Sequence, residues 1–208
     1  MVHIVLVHGL GATEKSWFRI PDALEAAGHT VKAVLLPGSI LSGLEDFAAE
    51  IVSVLRSDKQ SVLIGHSMGG VSISQAAANS PSLVSKLIYV TALVPRNGES
   101  AGGIIGALGT SFDNVGNEFD RVDIGRQHPA RRLPIFGALM GEFKSSTSFA
   151  NIPKHYVRCS TDTVVTPPKQ AEMIGKWPGT TESTVEAGHI PQKEAPDKLS
   201  QSLLKAIG

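Results

Sequence analysis

The chain has a single cysteine and no net charge, and both absences exclude classes of protein. Cys159 is the only cysteine among the 208 residues, so no internal disulfide can form and an oxidising compartment is not implied. Lysine plus arginine and aspartate plus glutamate both number 19, and no block of five like charges occurs. Because nucleic acids and acidic membrane surfaces attract basic patches, we expect neither partner.

Long apolar runs are missing as well. No apolar stretch approaches the roughly 18 residues that a membrane-spanning helix needs. The opening residues MVHIVLVHG lack the basic region of a signal peptide and are more typical of a first strand. We therefore expect a cytoplasmic protein with no membrane partner.

Motifs for metals and cofactors are absent too. There is no H-E-x-x-H motif, no cysteine pair, and the seven histidines are scattered at spacings that do not suit ligands. The dinucleotide pattern G-x-G-x-x-G is not met, because Gly9 and Gly11 are followed by Glu14 at the third glycine position. The sequence predicts no metal and no cofactor.

Short β-type runs alternate with amphipathic stretches in the first and last parts of the chain. The strand-like segments are 3–8, 30–36, 61–66, 86–93, 155–160 and 181–187, and the helical patterns are 21–29, 44–57, 71–80, 167–177 and 195–207. Strands separated by helices imply parallel crossover connections. We expect an α/β fold with about six mostly parallel strands flanked by helices.

The alternation breaks near Pro95. Residues 96–152 are rich in Gly, Ser, Asn and Asp, and they are too many for a simple connection within a compact domain. The segment is either a disordered loop or an insertion that covers the sheet edge, and its spaced aromatics favour the second. We predict one domain over residues 1–208, with a core of 1–95 and 153–208 and a short cap insertion at about 96–152.

A serine between glycines follows the third predicted strand. The stretch SVLIGHSMGG satisfies G-x-S-x-G with Gly65, Ser67 and Gly69. The motif needs glycines because the serine lies on a strained strand-to-helix turn where neighbouring backbones pack closely. The pattern alone is weak, and Ser67 could be an ordinary turn residue. The predicted strand before it and the predicted helix after it favour a nucleophile.

Two backbone N–H groups could stabilise an oxyanion beside Ser67. The Met68 N–H lies in the unpaired first turn of the predicted helix, where the helix dipole favours negative charge. The loop HGLGATEKSW after the first strand has glycines on both sides of Leu10, so the Leu10 N–H is the second candidate donor. His8 and Gly9 shape this loop, which could otherwise be a plain turn.

The base of a serine nucleophile should be a histidine near a late strand end. His189 lies in EAGHIPQKEAP, directly beyond the last predicted strand and before the final helix. His8 and His66 lie in the motif loops, where bracing the backbone is the more plausible role. The sequence therefore predicts His189 as the general base.

The acid that orients the base should follow a strand between serine and histidine. Asp162, in RCSTDTVVTPP, does so, although it could also be the N-cap of a turn. The resulting chain order of Ser67, Asp162 and His189 is that of α/β-hydrolases. Other carboxylates that could serve lack this strand-end placement; they are Asp113, Asp120 and Asp123.

The stretches HIVLVHGLGATEKSWFRIPDALEAAGHTV, VLIGHSMGG, TDTVVTPP and AGHIPQKEAP together resemble the α/β-hydrolase superfamily. Within it they are most similar to the branch that holds salicylate-type methylesterases and hydroxynitrile lyases. The resemblance implies an α/β-hydrolase fold, Ser67 as nucleophile, His189 as base, Asp162 as its orienter, and the Leu10 and Met68 amides as oxyanion donors. It also suggests a homodimer, for which the residues alone give no evidence.

Two positions separate the chemistries of this branch. The lyases that the chain resembles have a threonine directly after the loop histidine and a lysine directly after the catalytic histidine, where this chain has Gly9 and Ile190. An apolar side chain cannot stabilise a departing cyanide, so we expect hydrolysis of a small, fairly apolar carboxylic ester or lactone. Lyase, thioesterase or acyl-transfer chemistry and a non-catalytic ligand receptor stay as alternatives.

The residues expected to line the substrate pocket are apolar or aromatic side chains of the cap and the motif loops. They are Trp17, Phe112, Phe136, Leu139 and Ile190.

Overall fold

Six strands form one parallel sheet in this computed structural model, which describes residues 1–39, 41–109, 112–123 and 137–208, with backbone alone at 112–116. Neighbouring strands pair in parallel in the order β2-β1-β3-β4-β5-β6. This confirms the predicted α/β class and the number of strands. Their bounds are β1 His3–Val7, β2 Thr30–Val34, β3 Ser61–His66, β4 Val84–Val90, β5 Lys154–Cys159 and β6 Thr181–Val185.

Helices connect the strands and lie on both faces of the sheet. Their bounds in the described residues are α1 Ile20–Ala26, α2 Leu44–Ser53, α3 Gly69–Asn79, α4 Ala101–Leu108, α5 Phe112–Arg121, α6 Gly137–Met140, α7 Thr147–Ala150, α8 Pro167–Gly175, α9 Pro191–Glu194 and α10 Pro196–Ile207, with short 3₁₀ turns at Glu14–Trp17 and Pro81–Leu83. None of the helices within those residues is long and apolar enough to span a membrane.

Helix α2 ends earlier than its apolar pattern predicts. The pattern continues to residue 57, but the helix stops at Ser53. The N–H groups of Val54 and Leu55 donate to carbonyls three residues back, at Ile51 and Val52. These tighter bonds replace the α-helical ladder, so the apolar residues stay in contact with the core while the helix ends.

Alternating strand side chains build two core clusters, one on each face. Because successive residues of a strand point to opposite faces, a strand covered on both sides reads as a continuous apolar run. In β1 all five residues are buried, and Val5 joins one cluster with Phe47 of α2 while Ile4 joins the other with Leu199 of α10. The sheet is therefore sandwiched between helix layers.

The segment between β4 and β5 contributes to the main core. Phe143 and Phe149 have no exposed surface, and their rings meet edge to face with centroids 5.0 Å apart. Backbone bonds tie Phe143 to both Gly98 and Glu99, so this part returns to the end of β4. Residues 137–152 are thus packed into the fold, and the limits of a cap insertion stay a prediction.

The carboxyl ends of the six strands lie along one edge of the sheet because all of them run parallel. In open α/β sheets this edge is where ligands bind. Ser67 follows β3, Asp162 follows β5 and His189 follows β6. The topology thus places these three residues at the same edge, with β4 lying between β3 and β5.

Gly65 should tolerate no side chain, and alanine there tests the close packing at the end of β3. A Cβ at Gly65 would lie 2.7 Å from the carbonyl carbon and oxygen of Gly69, whereas a Cβ at Gly106 in α4 would meet nothing within 4 Å. We expect Gly65→Ala to lower the free energy of unfolding by about 1–3 kcal/mol. Gly106→Ala should raise it by up to about 1 kcal/mol, because alanine favours helix.

Urea unfolding of both variants beside the parent chain measures the two effects. A Gly65→Ala variant as stable as the parent would contradict the close approach of these two backbone segments.

Candidate active site

Ser67 lies on a strained turn between β3 and α3. Its φ angle is 52°, in the left-handed region that few residues other than glycine adopt. The turn is tight because Gly65 and Gly69 let backbone segments approach; a Cβ on Gly69 would lie 2.6 Å from the Val7 carbonyl oxygen. The strand-turn-helix context that the G-x-S-x-G pattern requires is present, with the serine hydroxyl directed to the carboxyl edge.

His189 connects Ser67 to Asp162 in one hydrogen-bonded chain. The Ser67 Oγ lies 3.0 Å from His189 Nε2, and His189 Nδ1 lies 2.8 Å from Asp162 Oδ2. All three side chains are buried. With Asp162 ionised, Nδ1 carries the proton and donates to the carboxylate, so Nε2 is free to accept the serine proton.

Each carboxylate oxygen of Asp162 accepts two hydrogen bonds. Oδ2 accepts from His189 and from the Thr91 hydroxyl, and Oδ1 accepts from the N–H groups of Val164 at 2.7 Å and Val165 at 3.0 Å. Burial by itself raises the pKa of Asp162, but the charge of His189 and these hydrogen bonds together hold that pKa below its ordinary value. Asp162 is therefore ionised at neutral pH.

His66 forms a hydrogen bond to the backbone of His189. Its Nε2–H donates to the His189 carbonyl oxygen over 2.7 Å. Burial, followed by the nearby charge of His189, lowers the pKa of His66 to about 3, so its ring is neutral at neutral pH. The remaining nitrogen, Nδ1, is buried and has no hydrogen-bond partner among the described residues.

His8 braces the loop that follows β1. Its Nδ1–H donates to the Gly9 carbonyl over 2.9 Å, and its Nε2 accepts from the Leu36 N–H. A Cβ on Gly9 would lie 2.8 Å from the Cβ of Ser67, so this loop lies directly against the serine. The sequence predicts that His8 and His66 brace backbone segments, and both rings bond backbone groups in the structure.

The Leu10 and Met68 amides belong to the segments next to Ser67. Leu10 follows Gly9, which lies against Ser67, and Met68 immediately precedes α3. Within the described part of the chain, neither N–H donates to a backbone or side-chain acceptor. Their role as oxyanion donors stays a prediction.

Two of the predicted pocket residues lie in the core clusters. Trp17 is completely buried in the core cluster on the α1–α10 face, and Leu139 is buried in the opposite cluster. Each packs against core side chains, and a place for either in a substrate pocket stays a prediction. Ile190 is buried against Phe119 of α5, beside the base. The side chain of Phe112 and the whole of Phe136 lie outside the described residues.

Asp162 is the carboxylate that bonds His189. Asp120 lies in the last turn of α5 and Asp123 directly beyond it, whereas Asp162 makes the hydrogen bond to His189 Nδ1. The side chain of Asp113 falls outside the described residues. Among the residues that are described, no group of three His, Cys, Asp or Glu side chains could hold a metal ion.

Two further polar residues bond Asp162 or the neighbours of His189, and the sequence patterns predict neither. Thr91 bonds Asp162 directly after β4, and Glu194 accepts from the N–H groups on both sides of His189. Strand order could have indicated Thr91, because β4 lies between the strands that carry the serine and the acid. Glu194 carries no such signal, since it is one acidic residue of a short surface helix.

Replacing His66 with glutamine should flatten the dependence of stability on pH. The pKa of His66 is about 3 in the folded chain and 6.5 for an unperturbed histidine, so below pH 6.5 only the unfolded chain takes up this proton. Wild-type stability then falls by up to about 1.4 kcal/mol per pH unit on this account. Glutamine keeps an Nε2 donor for the His189 carbonyl and cannot titrate.

Urea unfolding at pH 7, 6 and 5 measures the free energy of unfolding for both chains. The stability advantage of the wild type should shrink as the pH falls. Parallel curves for the two proteins would show that His66 is not held neutral by the fold.

Comparison with known proteins places the chain in a family. A family profile described as "Alpha/beta hydrolase family" matches residues 4–201. Methylesterase 2 of Arabidopsis thaliana is 25% identical, covering 97% of this chain and 94% of its own. Probable hydrolase R7 of a Phoma species is 27% identical, covering 86% and 83%.

Solved structures share the fold. A pyrethroid hydrolase from Sphingobium faniae JZ-2 superposes with a TM-score of 0.83 at 23% identity, over 98% of this chain and 96% of that one. A methylesterase from Arabidopsis gives 0.76 at 20% identity, over 100% and 99%. The resemblance to α/β-hydrolases and to their methylesterase branch is confirmed, and the chain belongs to the alpha/beta hydrolase family.

Proposed function

We propose that the chain is a carboxylic-ester hydrolase that forms an acyl-enzyme on Ser67. The observation that carries this proposal is the continuous chain from Ser67 Oγ through His189 to Asp162, with contacts of 3.0 and 2.8 Å. Relatives that are named methylesterases and a neighbour that is named a pyrethroid hydrolase support the same class of reaction.

The first half-reaction uses the serine as nucleophile. Ser67 Oγ attacks the ester carbonyl carbon while its proton passes to His189 Nε2. The carbonyl oxygen becomes an oxyanion and accepts from the Leu10 and Met68 amides. Asp162 stays ionised and stabilises the imidazolium, because its carboxylate is already satisfied by four donors.

The proton on His189 completes the first half-reaction and is restored in the second. Protonated His189 gives its Nε2 proton to the leaving alcohol as the tetrahedral intermediate collapses to the acyl-enzyme, which ends the first half-reaction. A water molecule then loses a proton to the same nitrogen and attacks the acyl carbon, and Ser67 leaves with the proton returned by His189. No redox step or cofactor is needed.

The surroundings of the base favour a fairly apolar substrate. Ile190, next to His189, packs with Ala12, Phe119 and Val122 in a small apolar cluster, and Phe18 packs against it. These side chains come from the segment after β1, from the end of α5 and from the loop that carries His189. An ester or lactone with a small apolar acyl or alcohol part fits such surroundings better than a charged one.

Replacing Ser67 with alanine should abolish ester hydrolysis. We expect kcat/KM for p-nitrophenyl acetate and butyrate to fall on the order of 10⁴- to 10⁶-fold, because the nucleophile is lost. A fluorophosphonate probe should label the wild type and not the variant. Ser72→Ala is the matched control, since Ser72 is also a buried serine, lies on α3 and makes none of the triad contacts.

The same assay separates the alternatives. Equal turnover and labelling of the wild type and Ser67→Ala would indicate a ligand receptor in place of a hydrolase. Release of cyanide from mandelonitrile without turnover of the esters would indicate lyase chemistry, which the apolar Ile190 argues against.

The hydroxyl of Thr91 should be needed for full activity. Thr91→Val keeps the shape of the side chain but removes a hydrogen bond to an ionised carboxylate, a contact worth about 1.5–3 kcal/mol. We expect kcat for p-nitrophenyl butyrate to fall about 10- to 100-fold in this variant. Thr91→Ser retains the hydroxyl and should recover most of the rate. A valine variant with the turnover of the wild type would show that this bond does not orient Asp162.

A further inference from the structure

A group of charged and hydroxyl side chains links α5 to the two loops that carry the base and the acid. We call it the α5 network, and its members are Glu118, Arg121, Thr163 and Glu194. None of them contacts Ser67, and the hydrolytic mechanism above uses none of them.

Glu194 holds the backbone on both sides of the base. Its Oε2 accepts from the Gly188 N–H over 3.1 Å, and its Oε1 accepts from the Ile190 N–H over 3.2 Å. These two residues are the immediate neighbours of His189. One carboxylate thus fixes the peptide units before and after the imidazole, which limits rotation of the segment that carries it.

Arg121 joins this carboxylate to α5. Its Nη2 lies 2.6 Å from Glu194 Oε2, and its Nε lies 2.7 Å from Glu118 Oε2. The Thr163 hydroxyl donates to Glu118 Oε1 over 2.6 Å, and Thr163 directly follows Asp162. The network therefore ends at the neighbours of both His189 and Asp162.

The network is partly shielded from water and closely packed. The Glu118 side chain is 5% exposed and that of Glu194 is 18% exposed, whereas Arg121 is 49% exposed, so water screens these contacts in part. A Cβ on Gly188 would lie 2.5 Å from Arg121 Nη2, so a side chain at this position would displace the guanidinium. Beside it, Phe119 and Ile190 pack together and add an apolar contact.

We propose that Glu194 and Arg121 are positioning residues that make the geometry of His189 and Asp162 depend on the packing of α5 against their loops. This inference rests on the proposed ester hydrolysis. Its physical basis is that a misplacement of about 1 Å in a reacting group can cost on the order of 100-fold in rate, even when the cause lies away from the chemistry.

The key variants remove charge, and Glu194→Gln also keeps the size of the side chain. Glu194→Gln cannot accept from both N–H groups with both terminal atoms, because one of them becomes an NH₂ donor. Arg121→Gln breaks the link to α5. The matched control is Arg19→Gln. Arg19, the residue before α1, makes an exposed ion pair of 2.8 Å with Asp197 of α10, so this variant also replaces a paired arginine with glutamine.

Steady-state kinetics with p-nitrophenyl butyrate should separate positioning from general stabilisation. We expect kcat to fall about 10- to 100-fold in Glu194→Gln and about 10-fold in Arg121→Gln, with KM changed less than about threefold. The double variant should lose no more than Glu194→Gln alone, because both changes interrupt one network. Arg19→Gln should retain the wild-type kcat.

The rate of fluorophosphonate labelling gives a second readout that does not depend on turnover. It should fall together with kcat when each variant is assayed under conditions where urea titration shows it fully folded. Retained kcat and labelling rates in both network variants would overturn the inference. So would a loss of rate that disappears once the folded fractions are equal, since that result indicates a purely structural role.

The two proposals fail in different ways. A wild-type chain that neither hydrolyses esters nor takes up the probe would remove the proposed function itself. A wild type that does both, beside fully active Glu194→Gln and Arg121→Gln, would remove only the role of the α5 network.

Discussion

The backbone at Ser67 is the constraint on which the rest of the site depends. A non-glycine residue with a φ of 52° carries a strain of about 1–3 kcal/mol and persists only where neighbouring contacts fix it. Ser67 N–H donates to the Val90 carbonyl, and the Ser67 carbonyl accepts from Gly70 and Leu93. These bonds join β3, β4 and α3 at one point. The hydroxyl is therefore held toward the sheet edge before any substrate is present.

Three histidines surround this point, and their hydrogen bonds differ. His8 and His66 each use a ring N–H on a backbone carbonyl. The pKa of His66 is lowered to about 3, with burial as the largest cause. His189 alone is bonded to the ionised Asp162. In the proposed mechanism the proton that leaves Ser67 passes to His189, and His66, which the fold keeps neutral, supports the backbone without competing for it.

The sequence predicts the sheet, and the meeting of three polar residues at its edge, because both follow from local patterns. Buried parallel strands are continuous apolar runs, and strand ends meet at one edge, so the order of Ser67, Asp162 and His189 is enough to bring them together. Pocket residues follow from no such rule. Trp17 and Leu139 are apolar side chains beside the motifs, and whether such a residue faces a ligand or a core depends on which helix packs over it. The early end of α2 could not be predicted either. Its apolar pattern continues beyond Ser53 because the turn that follows the helix is still packed against the core.

Charge contacts between residues far apart in the chain also could not be predicted from the sequence. Glu118 and Glu194 are single acidic residues in different helices, and only the packing of α5 brings them to one guanidinium. A nearly buried carboxylate such as Glu118 requires a partner, because burial without one costs several kcal/mol. Arg121 and Thr163 supply partners only when α5 lies against the loops of the acid and the base. The contacts that stabilise α5 in this position are thus the same ones that hold the peptide units around His189.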